Sequence, residues 1–279
     1  MSPAALRHTP RMHRSLTLTA LLLLACNGDL NDTADASAYT TFVDTTAATT
    51  GQPTTTTAEP TSGPGTTGTP TGSTDPGTTG DPNNTAAQLL ALTRTCAVVS
   101  AAPLRSDDED GAPYDIDVCG LTGAIFWTAD MDIDCDGEST AQCNIDTDPA
   151  FQNQTSATDS NGQPLDAASL PYVVIPSGSL SFDYGARDVE LGTVVAVIYN
   201  GQLRFGVFGD EGPQNIIGEA SYAMAESLGI DPDPSTGGSD GPVTYIAFTG
   251  KSAVVTTMED HDEAVAVGTA RAAVLLQNN

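Results

Sequence analysis

The stretch that decides the fold reads Thr193-Val194-Val195-Ala196-Val197-Ile198-Tyr199, then Asn200-Gly201, then Gln202-Leu203-Arg204-Phe205-Gly206-Val207-Phe208. The first part is a continuous apolar run, and the last part alternates. An Asn-Gly pair between two such runs is the strongest short signal for a hairpin, because both central residues of its turn need positive φ. The stretch therefore predicts two antiparallel strands joined by a two-residue turn.

The sequence on either side predicts more short strands and a few helices. Residues 172–175 lie between two prolines and 243–249 alternate, so both are predicted strands, and 252–257 are expected to pair with the second. Predicted helices cover 88–100, 220–228 with Gly229 as a C-terminal cap, and 259–276, whereas 105–115, 209–213 and 231–242 are predicted loops. We therefore predict a mainly β fold with a few helices, built as a small closed β-barrel.

The order of these elements is similar to that of one known barrel type. A strand, a hairpin, an Asp-x-Gly-Pro loop, a short strand and Glu-Ala-Ser at a helix start follow one another from residue 172 onward. This order resembles the double-psi β-barrel of lytic transglycosylases, expansins and some cellulases. The likeness concerns the fold alone, because a shared fold does not fix the chemistry.

The first 86 residues are unlike the rest of the chain. Three arginines between residues 7 and 14 precede a short apolar run, and Leu23-Leu24-Ala25-Cys26 resembles the bacterial lipobox. We predict a signal peptide at 1–26 with lipidation at Cys26, the alternative being an ordinary signal peptide with a stray cysteine. The apolar run is too short to span a bilayer, so the lipid alone would attach the protein to the membrane. Residues 27–86 are rich in Thr, Gly and Pro and predict an extended stalk.

This organisation predicts a secreted protein, extracellular or held on the bacterial surface, with one folded domain at 87–279. That length encloses a core without a partner, so we expect a monomer. Four cysteines lie in the domain, and an export signal favours two disulfides among them. Of the three possible pairings, Cys135 with Cys143 would close a small loop and leave Cys96 for Cys119. Zinc is disfavoured because no Cys-x-x-Cys unit is present.

The charge of the chain restricts its partners. Nine Lys and Arg stand against 36 Asp and Glu, a net charge of -27. Nucleic acid would be repelled, whereas a polycation would be attracted, although a solvated acidic surface is an alternative explanation. No phosphate-binding loop is present and His261 has no partner for a hydrolytic triad. We therefore expect no cofactor.

Acidic residues recur at every second position between Asp130 and Asp136. In an extended chain this alternation puts them on one side, where Asp130, Asp132 and Asp134 would line a substrate cleft. One alternative is a calcium site at Asp132, Asp134 and Asp136, although the twelfth position counted from Asp132 is Cys143, where an EF-hand loop has Glu. The other alternative is a solvated acidic loop. Trp127 precedes this run, and is either a core residue or a platform on which a sugar stacks.

Two further residues could supply the pair of carboxyl groups that glycosidic cleavage requires. Asp210 follows a predicted strand and Glu219 opens a predicted helix nine residues later. Cleavage needs one protonated carboxyl beside the leaving oxygen and one carboxylate that activates water or attacks carbon. Neighbouring apolar residues would raise the pKa of Glu219 and keep its proton. The alternative is a Glu that is favoured only by a helix N-terminus.

These motifs together resemble the fungal-type chitosanases of glycoside hydrolase family 75. The matching stretches are 131–137, 170–176, 192–208 with its Asn-Gly turn, 209–210 and 217–221. The resemblance implies endo-hydrolysis of chitosan, a polycationic β-1,4-linked glucosamine polymer, with inversion, and it assigns the two essential carboxylates to Asp210 and Glu219. The lipobox and Thr-rich stalk depart from the family pattern. Alternatives are a lytic transglycosylase or other peptidoglycan-cleaving barrel, and a non-catalytic carbohydrate-binding surface lipoprotein.

Overall fold

A computed structural model describes residues 82–106 and 111–279 of the protein. The predicted signal peptide at 1–26, the lipidation at Cys26 and the stalk up to residue 81 lie outside the described residues. The first helix, α1, covers Pro82–Leu92, so regular structure begins five residues before the predicted domain start at 87. No described helix is both long enough and apolar enough to cross a membrane.

Eight strands follow, together with two more helices. The strands are β1 (Ala97–Val98), β2 (Cys119–Leu121), β3 (Ala124–Asp134), β4 (Tyr172–Pro176), β5 (Val194–Tyr199), β6 (Gln202–Gly212), β7 (Glu219–Ser221) and β8 (Ser239–Phe248). The helices α2 and α3 cover Tyr222–Leu228 and His261–Asn278. The order β3-β7-β4-β6-β5-β8 closes because β8 also pairs with β3. This closed barrel of six strands confirms the predicted mainly β barrel; its double-psi character stays a prediction.

The barrel wall has an inner and an outer apolar face. All six strands contribute to one cluster that includes Trp127, Val173 and Tyr245, and α2 closes that cluster with Met224 and Leu228. The other cluster includes Phe126 and Val174, and it also contains residues of α1 and α3. Since helices of this size cannot fit inside six strands, the second cluster lies on the outer face.

The predicted hairpin is confirmed. Val194–Tyr199 pairs antiparallel with residues 202–207 in uninterrupted register, from Tyr199 opposite Gln202 to Val194 opposite Val207. Asn200 and Gly201 form the turn with φ of 49° and 78°. Both values are positive, as a type I′ turn requires.

Several predicted boundaries and one predicted pairing are wrong; the helix predicted at 88–100, for example, ends at Leu92. Strand β6 continues to Gly212 through the predicted loop at 209–213, because β4 pairs with it in parallel up to that residue. Helix α2 begins at Tyr222, since the hydroxyl of Ser221 caps it by accepting a hydrogen bond from Met224 N. Residues 252–257 do not pair with β8, because β3 and β5 occupy both of its edges; Val254 instead bridges to Thr193.

The two suggested disulfides are both present. Cys96 joins Cys119 and so ties the segment after α1 to β2. Cys135 joins Cys143 and closes the loop that leaves β3, with both residues fully buried. The second bridge lies directly beside the acidic run, so it fixes how the chain turns after Asp134.

Candidate active site

Strand alternation places the acidic residues of β3 on the outer face of the barrel. Phe126 lies on that face, and Asp130, Asp132 and Asp134 share its parity along β3. Glu219 stands opposite Asp132 in the parallel pairing of β3 with β7, so it points to the same side. The prediction that the alternating aspartates share one side is confirmed, and Glu219 joins them from a strand rather than from a helix start.

Asp210 reaches the same face through a β-bulge. In the pairing of β4 with β6, Val173 stands opposite Phe208 but Val174 stands opposite Asp210, so Gly209 is an extra residue. Without the bulge, Asp210 would share the inward direction of Phe208. The bulge turns Asp210 outward beside Val174, as bulges next to functional sites commonly re-aim a side chain.

Gly209 makes this bulge possible because it leaves no side chain next to Asp210. A Cβ at Gly209 would lie 2.8 Å from both Leu165 Cδ1 and Tyr172 Cβ. Those two side chains are fully or almost fully buried on the outer face, so they have no room to move away. Any larger residue at 209 would therefore displace the strand that carries Asp210.

Glu219 extends from β7 across β4 toward β6. A Cβ at Gly212 would lie 2.8 Å from Glu219 Oε2 and 3.0 Å from Val174 Cγ1, so the carboxylate lies over Gly212. Asp210 is two positions earlier on the same face of β6, a step of about 6.6 Å along a strand. The two predicted catalytic carboxylates therefore share one groove on the outer wall.

The carboxylate of Asp210 is buried and held by three donors. Its Oδ1 accepts hydrogen bonds from Ser156 N at 2.7 Å, Ser156 Oγ at 2.6 Å and Glu211 N at 2.8 Å. An ionised carboxylate is a pure acceptor, so converging donors stabilise its charge. All three bonds use Oδ1, and the oxygen left for a water molecule or a substrate is Oδ2.

Asp134 and Asp136 complete the groove at the end of β3. Asp134 Oδ1 accepts a hydrogen bond from Asp136 N at 2.7 Å, and Asp136 Oδ1 accepts one from Gln152 N at 2.6 Å. The hydroxyl of Tyr172 donates to the carbonyl of Asp136 at 2.9 Å. One carboxylate oxygen from each of Asp134, Asp136 and Asp210 lies within 4.8 Å of the others.

Burial, together with the crowding of carboxylates, raises the pKa of several members of the groove. Burial first, and then the charges of Asp132, Asp136, Asp210 and Asp130, raise the pKa of Glu219 to about 8. Burial also raises the pKa of Asp136 to about 7, against the opposing hydrogen bond from Gln152. The pKa of Asp134 is raised well above its ordinary value by burial and by Asp136. At neutral pH the site therefore retains protons, with Glu219 in the acid form.

Protein stability should fall as the pH rises through the range in which these groups ionise. A carboxyl whose folded pKa is raised binds its proton more tightly in the folded state, so stability is lost between the unfolded and the folded pKa. For Glu219 that range runs from 4.5 to about 8. We expect the free energy of unfolding to decrease there by up to about 1.4 kcal/mol per pH unit for each proton involved.

Urea titrations between pH 5 and 8 check this expectation. The Glu219→Gln variant should show a shallower decrease, because Gln does not ionise. Glu226→Gln removes an exposed carboxylate of α2 and should keep the wild-type slope. Equal slopes for wild type and Glu219→Gln would contradict a raised pKa at Glu219.

Two sequence-based site predictions need correction. The structure does not gather the calcium set Asp132, Asp134 and Asp136: Asp134 and Asp136 come together with Asp210, whereas Asp132 stays opposite Glu219. Trp127 is not a sugar platform. Its position on β3 points it into the barrel, where it is fully buried and stacks on Tyr245 with ring centroids 5.2 Å apart.

The remaining predicted residues differ in how far they are accessible. Asp130 is only 8% exposed and lies against Gly218, so it forms part of the groove floor. Asp132 and Asp134 are partly exposed and face the groove. Ser156 was not predicted, because it comes from a polar loop far away in sequence and has no motif around it.

Comparison with known proteins gives one consistent result. The family model described as fungal chitosanase of glycosyl hydrolase group 75 matches residues 131–269. Endo-chitosanase B of Aspergillus oryzae is 36% identical over 163 residues, covering 52% of this chain and 67% of the relative. An endo-chitosanase of the same organism is 37% identical over 137 residues (45% and 56%), and one of Aspergillus fumigatus is 33% identical over 150 residues (49% and 63%). The chain thus spans about two thirds or less of each relative, and the match includes Asp132, Asp134, Asp210 and Glu219.

Proposed function

Because this chain belongs to the family of fungal chitosanases of glycosyl hydrolase group 75 and is therefore a glycoside hydrolase, we propose that it cleaves internal β-1,4 bonds of chitosan. The observation that carries the proposal is the pairing of Glu219, whose pKa is raised to about 8, with Asp210, whose Oδ1 accepts three hydrogen bonds. One carboxyl retains its proton and the other is held as an acceptor in the same groove. Glycosidic hydrolysis requires this division of roles.

In the proposed mechanism Glu219 is the general acid. It donates its proton to the glycosidic oxygen as the bond to the anomeric carbon breaks. Asp210 acts as the base: Oδ2 accepts a proton from a water molecule that attacks the opposite face of the sugar, so the configuration inverts. Inversion needs the two carboxyls roughly 6.5–9.5 Å apart. The position of Glu219 over Gly212, two residues after Asp210, supports a separation of this order.

The other carboxylates of the groove fit a cationic substrate. Asp132, Asp134 and Asp136 surround the proposed acid and base, and glucosamine units carry ammonium groups that these side chains would bind. Burial, and after it repulsion between carboxylates, raises the pKa of Asp134 and Asp136, and an approaching ammonium would relieve the repulsion. Asp132 and Asp134 are also the alternative candidates for the base. The net charge of -27 would attract the polymer at low ionic strength.

We also propose that the enzyme acts outside the cell, held by a lipid at Cys26 and carried on the Thr-rich stalk. The support for this part comes from sequence alone, namely the basic and apolar leader, the lipobox-like Leu23–Cys26 and the composition of residues 27–81. The two disulfides of the domain accord with an oxidising compartment. Labelling with a radioactive fatty acid that is lost on Cys26→Ala tests the anchor.

The test of the activity is digestion of matched polymers by the wild-type chain. We expect chitosan to lose viscosity quickly and to yield oligosaccharides, with the α-anomer appearing first by proton NMR. The rate should fall several-fold between 50 and 500 mM salt, because screening weakens the attraction between the polymer and the acidic groove.

Fully acetylated chitin of similar length is the matched control and should be cut much more slowly, since it lacks ammonium groups. Cellulose and peptidoglycan complete the panel. Cleavage of peptidoglycan instead of chitosan would support a peptidoglycan-cleaving barrel. Binding of chitosan with no cleavage would support a non-catalytic surface protein and overturn the proposal.

A further inference from the structure

Ser156 lies in the long loop between β3 and β4, at residues 135–171, and contacts Asp210 on β6. Its backbone N–H and its hydroxyl both donate to Asp210 Oδ1, at 2.7 and 2.6 Å. The hydroxyl oxygen also accepts a hydrogen bond from Glu211 N at 3.1 Å. An ionised carboxylate can only accept, so the hydroxyl proton of Ser156 is directed to Asp210, while a lone pair of the same oxygen accepts from Glu211 N.

The loop around Ser156 is anchored on both sides. Ala157 N donates to the carbonyl of Gly209, the extra residue of the bulge, at 3.0 Å. Thr155 Oγ1 donates to the carbonyl of Ala157 at 2.7 Å and accepts from Leu165 N at 2.9 Å. Gln152, which lies four residues before Ser156, donates its backbone N–H to Asp136 Oδ1. One short segment therefore supplies donors to two carboxylates of the groove and is itself attached to the strand that carries Asp210.

We propose that Ser156 is a positioning residue, which holds Oδ1 of Asp210 so that Oδ2 faces the attacking water. This inference rests on the proposed function of Asp210 as the base. Ser156 does not need to touch the substrate: its side chain is exposed at the rim of the groove, and its effect passes through Asp210. Without the hydroxyl, the carboxylate keeps its two backbone donors but gains freedom to rotate, and the water loses its alignment.

The test compares Ser156→Ala with Ser156→Thr in the full chain. A small misalignment of a reacting group costs up to about 100-fold in rate, so we expect kcat of Ser156→Ala to fall about 10- to 100-fold with little change in KM. Ser156→Thr keeps the hydroxyl and should recover most of the wild-type kcat. The control is Ser160→Ala, elsewhere in the same loop, which removes a hydroxyl that donates to Glu259 near the start of α3. It should leave kcat and KM unchanged.

The outcomes separate this inference from the function on which it rests. If the wild type cuts chitosan while Ser156→Ala shows the same kcat, Ser156 has no positioning role. If the wild type cuts no chitosan, the proposed function fails, and the contact is tested by carbon-13 NMR of the carboxyl groups. The Asp210 signal, assigned by its absence in Asp210→Asn, should then have a different chemical shift in Ser156→Ala than in wild type at the same pH, because the hydroxyl donor to Oδ1 is lost. Identical chemical shifts would overturn the inference in that case.

Discussion

Glu219→Gln is expected to lower kcat on chitosan by about 10²–10⁴-fold, the usual contribution of a general acid. Gln has nearly the shape of Glu, but its amide has no proton that it can transfer to the glycosidic oxygen. The starting point for this expectation is a pKa raised to about 8 by burial and by four neighbouring aspartates. Such a group stays protonated at neutral pH, when ordinary surface glutamates are ionised.

Two measurements connect this loss with proton donation. A chitosan oligosaccharide with a dinitrophenyl leaving group needs no acid, so Glu219→Gln should hydrolyse it at close to the wild-type rate. The variant should also be more stable than wild type at pH 8, because it removes a charge from a crowded, partly buried site. Glu226→Gln makes the same charge change on the exposed face of α2. It should change neither the rate of chitosan cleavage nor the rate of hydrolysis of the dinitrophenyl substrate. Near wild-type cleavage of chitosan by Glu219→Gln would refute the acid assignment.

Local patterns predicted much of the fold, because local interactions determine those parts. The Asn200-Gly201 turn needs positive φ at both residues, and Gly229 ends α2 in the left-handed conformation. The alternating aspartates of β3 share one face because successive side chains of any strand point to opposite sides. None of these predictions required knowledge of a distant residue.

The parts that sequence could not predict depend on pairings between distant segments. Simple alternation along β6 predicts that Asp210 points into the barrel, as Phe208 does. Only the parallel pairing with β4 shows that Gly209 is an extra residue. Trp127 beside an acidic run has the same local sequence whether it faces a cleft or a core. Ser156 lies 54 positions before Asp210, and only the folded chain brings the two together.

The composition of the acidic cluster also depends on the fold. Counting along the chain groups Asp132, Asp134 and Asp136, because they are spaced by two. In the structure β3 ends at Asp134, and the Cys135–Cys143 disulfide turns the chain so that Asp136 approaches Asp210. The strand register then keeps Asp132 beside Glu219. A single acidic run therefore contributes to two neighbouring parts of one groove.

Asp210→Asn is expected to lower kcat on chitosan as severely as Glu219→Gln, by about 10²–10⁴-fold, but with a different substrate dependence. Asn still accepts the bonds from Ser156 and Glu211 through its carbonyl oxygen, so the fold should be retained. It cannot take a proton from water, and water attacks the sugar in every substrate. The dinitrophenyl oligosaccharide should therefore not recover the rate.

Azide provides the complementary measurement, because it attacks carbon without having to lose a proton. Added azide should restore turnover of the dinitrophenyl oligosaccharide by Asp210→Asn and should yield the α-glycosyl azide, which has inverted configuration. The matched control Asp146→Asn removes an exposed carboxylate with the same change of charge and should behave as wild type. If Asp210→Asn keeps its rate while Asp134→Asn or Asp132→Asn loses it, the base belongs to β3. Burial raises the pKa of Asp134, so that carboxyl keeps its proton to higher pH than usual, whereas three donors hold the carboxylate of Asp210, and both observations favour Asp210 as the base.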